Sequence, residues 1–170
     1  MMYIIIFYII PILAIINLLF IRKNSKNIFN ISLLWSLLLI FYFILVLITV
    51  SKNWNFQFSK TIKWFSINSN IFNWTNFIFE VDGISLYFIG LTTILISISI
   101  LISSRSIKTF KKEFNILLYI CALLLMLFFS SLNLITFYIF FEATLIPIFI
   151  LIGVWGYREE KIKAACYFFF

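Results

Sequence analysis

"NILLYICALLLMLFFSSLNLITFYIFFEATLIPIFILI", residues 115–152, runs for 38 residues with one charge in it, Glu142. A single helix of that length would reach about 57 Å, nearly twice the hydrocarbon core of a bilayer at about 30 Å. Backbone groups in lipid have no outside partner, so the run must fold back as two helices and not continue as open chain. The polar "SSLN" at 130–133 is the natural turn. It gives one span near 111–130 and another over 132–152. The first is short unless Lys111 and Lys112 snorkel at its end.

The rest of the chain supports lipid as the solvent. Of 170 residues, 64% are hydrophobic, 21% aromatic and 11% charged. Mean hydropathy is +1.14. A soluble domain carries about 45–50% apolar and about 25% charged residues. The net charge of +7 sits in short clusters between apolar runs, which reads as membrane topology and not as a nucleic-acid surface. There is no histidine, which excludes His-ligated haem, His-bound copper and the usual zinc sites. Cys121 and Cys166 stand far apart in apolar surroundings and read as packing residues. The four glycines form neither a dinucleotide fingerprint nor a P-loop.

Three further uncharged runs, over 1–21, 31–50 and 83–104, are each about 20 residues, enough to cross. Positive charges follow the first run and do not precede it, so it is a retained span and not a cleaved signal. Asp82 is placed to cap the third. The basic residues after spans one, three and five are Arg22, Lys23 and Lys26; Arg105, Lys108, Lys111 and Lys112; and Arg158, Lys161 and Lys163. They make ten of the thirteen Lys and Arg residues. By the positive-inside rule these loops face the cytoplasm or matrix, and the N-terminus lies outside. Segment 51–82 then faces outward, with Trp54, Trp64 and Trp74 expected along the interface. Residues 153–163 form an inward basic loop, and 164–170 begin a sixth apolar run. The fold class is therefore all-α integral membrane: five transmembrane helices plus the start of a sixth.

Glu142 sits near the middle of the fifth span, with Arg158, the nearest basic residue, 16 positions away. An unpaired carboxylate at that depth is costly, so it is either protonated or answered by a cation on another helix. Pro147 cannot donate to the carbonyl of Ala143 and loosens that turn. With Tyr138 and Thr144 hydroxyls nearby, the position could hold water and pass protons. A bland alternative is a protonated glutamate bonded to a carbonyl, serving only to hold helices together.

Two stretches, "VDGISLYFIGLTTILISISIL" (81–101) and "FYIFFEATLIPIFILIGVWGYREEKIKAACYFF" (137–169), resemble subunit 4 of proton-pumping NADH:quinone oxidoreductase, respiratory complex I, in its mitochondrial form. The resemblance runs from about Phe56 onward. It implies the N-terminal portion of an antiporter-like fold of about fourteen helices, built from two inverted repeats. Glu142 takes the place of a glutamate that pairs with a lysine on the seventh helix, and Pro147 that of the neighbouring proline. Asn133 stands where relatives often carry an acid. The resemblance implies no cofactor in this chain, with FMN, iron–sulfur clusters and ubiquinone elsewhere in the complex. It implies the mitochondrial inner membrane, with a bacterial plasma membrane as the alternative. Partners would be other membrane-arm subunits, membrane lipids and no nucleic acid. Because the chain stops within helix six, a second polypeptide is expected to complete that helix and to supply the lysine. A subunit of a multisubunit cation/proton antiporter and a non-catalytic membrane scaffold are the competing readings.

Overall fold

The structure, a computed structural model, describes residues 2–22, 27–49, 57–63, 76–157 and 159–169. Trp54, Trp64 and Trp74, with Lys23, Lys26 and Arg158, lie outside the described residues. Among the described residues six helices carry the fold: α1 (Met2–Phe20), α2 (Ile28–Thr49), α3 (Gly83–Ser106), α4 (Lys111–Ser130), α5 (Leu134–Trp155) and α6 (Lys161–Phe169). Helices α2 to α5 are each long and apolar enough to cross a membrane, and α1 is a further apolar helix. The chain is a helical membrane protein.

Several boundaries differ from those drawn on the sequence. Helix α2 begins at Ile28 and not at residue 31, burying Ile28 and Phe29 against the bundle. Helix α5 runs on to Trp155, and α6 starts at Lys161. The basic loop expected over 153–163 thus shrinks to the few residues between those helices. Helix-compatible residues at both edges, and backbone groups that helix satisfies, account for the shortening.

Segment 51–82 also contains something the residue pattern only hinted at. Strand β1 (Gln57–Lys63) pairs antiparallel with β2 (Asn76–Val81). The pairing places Thr61 opposite Ile78 and Lys63 opposite Asn76, with an irregularity between Gln57 and Lys60. Phe79 of β2 forms a bridge to Ser131, and its ring lies 5.9 Å from that of Phe140, so the hairpin's second strand rests over the α4–α5 turn. Val81 is buried and Asp82 follows directly as the cap of α3.

Helices α1 to α4 form a ring in which each touches the next, α1 closes onto α4, and α2 reaches α4 across the middle. Short connections join α1 to α2 and α3 to α4, while the longer segment holding β1 and β2 joins α2 to α3. Two apolar clusters fill it. One joins Phe7, Phe43, Val46, Ile89 and Met126. The other, toward the end carrying the α1–α2 and α3–α4 turns, joins Leu18, Phe29, Ile100, Leu118 and Tyr119. Between helices runs a polar seam. The Tyr119 hydroxyl donates to the Ser32 carbonyl, and the Ser97 hydroxyl lies 3.4 Å from the Ser36 carbonyl. In lipid such contacts hold helices together where apolar burial gives little preference. Helix α5 lies outside this ring against α4, and α6 lies against α5.

Local chemistry sets the helix ends. The Asp82 carboxylate accepts from the Ser85 amide at 2.6 Å, closing the first turn of α3. Ser131, Leu132 and Asn133 separate α4 from α5, and the Ser131 hydroxyl donates to the Phe128 carbonyl. At the far end of α5, the Gly156 amide donates to the Ile152 carbonyl.

Candidate functional site

Helix α5 has two faces with different neighbours. Thr136, Thr144 and Pro147 are its buried residues, at intervals of eight and three, which trace one stripe against α4. Helix α6 covers another. The ring of Phe149 meets that of Phe169 at 5.6 Å, and a Cβ at Gly153 would come within 3.9 Å of the Ala165 Cβ. Glu142 precedes Phe149 by seven residues and Gly153 by eleven, whole numbers of turns to within about 20°. The carboxylate therefore stands on the α6 stripe, about 10 Å farther along α5 than the Phe149 contact.

Glu142 is half-buried within these residues. The Tyr138 hydroxyl stands one turn away on the same side of α5, close enough to interact with the carboxyl, and Tyr138 is itself exposed. Among the described residues no Lys or Arg is paired with Glu142. Of the cations near the α5–α6 turn, the described ones are engaged locally: Lys161 donates to the Val154 carbonyl at 2.8 Å, and Lys163 lies 3.3 Å from Glu160.

The four residues singled out on the sequence do not share one place. Tyr138 stands beside Glu142. Thr144 and Pro147 lie on the opposite, α4-facing side. The Thr144 hydroxyl donates to the Phe141 carbonyl of its own helix at 2.7 Å and so does not reach the acid. Pro147 is buried inside a helix that continues through it. Having no N–H, it leaves the Ala143 carbonyl, next to Glu142, without its usual partner four residues on. No group of three or more His, Cys, Asp or Glu residues that could hold a metal occurs among the described residues.

Sequence reasoning had no signal for two contacts that seat α5. The Trp155 indole donates to the Thr109 carbonyl at 3.1 Å and its ring meets Phe114 edge-on at 5.3 Å. The Phe128 ring packs on Phe137 at 4.3 Å. The first joins residues 46 apart and the second bridges the α4–α5 turn, and only the aromatic richness of the chain foreshadowed them.

The chain is a helical membrane bundle with a lone acid in its fifth helix, five residues before a proline. Residues 131–170, which hold α5 and α6, match the family "NADH:quinone oxidoreductase/Mrp antiporter, TM". The chain is similar to NADH-ubiquinone oxidoreductase chain 4. It is 53% identical to that protein of Marchantia polymorpha over 114 residues, 67% of this chain and 22% of the relative. It is 43% identical to that of Metridium senile over 159 residues, 93% of this chain and 32% of the relative. NADH-quinone oxidoreductase subunit M of Rickettsia felis is 35% identical over 170 residues, 94% of this chain and 32% of the relative. The chain thus spans about a third or less of the length of these curated relatives.

Proposed function

We propose that these residues are part of a proton-translocating membrane-arm subunit of respiratory complex I, in which Glu142 takes up and releases protons during NADH oxidation and quinone reduction. The observation that carries the reading is the position of Glu142: an acid near the middle of a membrane-length helix, on the stripe that α6 covers farther along, with only a tyrosine hydroxyl beside it. An ionised carboxylate in such surroundings needs a cation, and a protonated one can give its proton away when the cation approaches. Alternating between those states is proton transfer gated by charge. The reading adds that an intramembrane lysine, carried by polypeptide outside residues 1–170, answers Glu142.

The remaining residues have supporting parts. Tyr138 orients the carboxyl and offers it a hydroxyl. Pro147 frees the Ala143 carbonyl, an acceptor for water next to the acid, and lets α5 flex there. Thr144 tightens the turn on the α4 side. The chain itself holds no redox centre in this reading. FMN, iron–sulfur clusters and ubiquinone belong to other subunits, and the membrane is the mitochondrial inner membrane, with basic turns on the matrix side.

The test is Glu142→Gln in the intact assembly, a change that keeps size and hydrogen bonding but removes the titration. NADH-driven proton movement and coupled turnover are expected to fall while assembly is preserved. Normal pumping by the assembled variant would overturn the reading. A cation/proton antiporter shares the family description, so the same preparation is examined for flavin and iron–sulfur absorption. Sodium-dependent proton flux without those chromophores would favour the antiporter.

A further inference from the structure

We infer that the α1–α2 face at the basic end of the bundle holds one acidic glycerophospholipid, its phosphate between Arg22 and Lys112 and one acyl chain in the adjoining groove. The groove has a volume of about 340 Å³ and is lined by Leu13, Ile16, Phe20 and Ile21 of the first helix and its end, with Asn17 and Trp35. That volume lies within the range of sites that take small organic molecules, about 300–1,000 Å³. Its walls are otherwise apolar, yet the Asn17 amide and the Trp35 indole N–H have no hydrogen-bond partner among the described residues. The exposed Asn17 amide and the half-buried Trp35 indole, set along an otherwise apolar membrane-facing groove, suit an occupant with acceptors as well as hydrocarbon.

Charge at the groove's end selects the occupant. The Lys112 ammonium donates to the carbonyls of Leu19 at 2.7 Å and Ile21 at 2.9 Å, which fixes a positive charge at the C-terminal end of α1. An ammonium has three N–H groups, so one remains for an outside acceptor. Arg22 follows Ile21 directly, is exposed, and has no ion-pair partner among the described residues. A phosphodiester accepts from both, and the lack of a headgroup cation to repel Arg22 and Lys112 distinguishes acidic from zwitterionic lipid. Asn17 lies one turn below Ile21, about 6 Å deeper, the level at which the ester carbonyls of a lipid held by its phosphate would sit. Water alone would satisfy Asn17 but would leave Phe20, at 88% exposure, and its apolar neighbours uncovered.

The inference rests on the membrane fold and not on the role of Glu142, and its readout is independent of pumping. Phosphatidylglycerol and phosphatidylcholine, each with a diazirine on one acyl chain, are added to membranes holding the full assembly. After irradiation, labelled peptides are mapped by mass. Labelling across residues 13–22 and at Trp35 with phosphatidylglycerol, competed by unlabelled phosphatidylglycerol and not by phosphatidylcholine, is expected. Arg22→Gln, at an exposed position, is expected to lower that labelling roughly fivefold, the effect of about one basic residue at an acidic lipid surface. Asn17→Leu is expected to lower it as well. Equal labelling by the two lipids, labelling unchanged by Arg22→Gln, or cross-links from this groove to protein alone would each overturn the inference.

Discussion

The rings of Phe149 and Phe169 meet edge to face at 5.6 Å, and that contact sets α6 on the same stripe of α5 that carries Glu142. Whatever continues the line of α6 along α5 passes the acid. The arrangement explains how a carboxylate half-exposed within these residues becomes enclosed in the proposed assembly, and it separates two kinds of α5 residue by face.

The first prediction uses that separation. Tyr138→Phe removes the hydroxyl beside Glu142 and is expected to slow coupled turnover, by less than Glu142→Gln does. Thr144→Val, on the other face, removes only a bond to the Phe141 carbonyl and is expected to leave pumping unchanged. Side-by-side proton-flux measurements on the variants check this. A larger loss from Thr144→Val than from Tyr138→Phe would place the working face on the α4 side.

A second concerns the close approach of α2 to α3. A Cβ at Gly90 would run into the tip of the buried Phe43 ring, with one ring-edge atom at 2.6 Å. Gly90→Val is therefore expected to cost about 1–3 kcal/mol by overpacking. Thermal inactivation of the assembled protein reads the loss, and Phe43→Leu in the same chain is expected to restore part of it.

The start of α3 gives a pH prediction. Partial burial pushes the Asp82 carboxyl upward, but hydrogen bonds from the Ser85 side chain and amide outweigh it and hold the group below its ordinary value. A carboxylate lowered in the folded state contributes stability that is complete above the unfolded value of about 3.9 and is lost as pH falls through the folded one. Asp82→Ala is expected to cost about 1 kcal/mol at pH 7, the usual worth of such a cap. Acid-unfolding curves are expected to show the difference narrowing below pH 4, and a constant difference would refute the assignment.

Phe110 offers a stabilising change. It precedes α4 in the left-handed region at φ 51°, where a bulky side chain is strained, and it is exposed. Phe110→Gly is expected to gain about 1 kcal/mol by removing that strain. Thermal stability of the assembly measures it, with Lys108→Gly as the control for added flexibility.

Much of the fold was legible because lipid imposes a strict length rule. Residues 115–152 had to become two helices, and the uncharged run over 83–104 had the length for one of its own, whatever their neighbours did. The polar Ser131 and Asn133 marked the turn for the same reason. Loop edges were less legible: Lys161 and Lys163 looked like loop residues by charge, yet they sit in the first turn of α6, where lysine is a good helix former. The hairpin of β1 and β2 was legible only as fragments of alternation, since pairing Thr61 with Ile78 joins residues across a long intervening segment.

The candidate site divides in the same way. That Glu142 is an isolated acid in a membrane helix follows from composition and spacing alone, because each helix is a local object counted along one chain. Which groups surround it does not. Tyr138, Thr144 and Pro147 are all within five residues of Glu142, yet 3.6 residues per turn sends them to different faces, and only the packing of α4 and α6 tells which face is which. Likewise the charge of Lys112 was visible in the sequence, but its hold on the carbonyls of Leu19 and Ile21 required α1 and α4 to be brought side by side. Spans are written in one dimension by hydropathy; partners are chosen in three by contact.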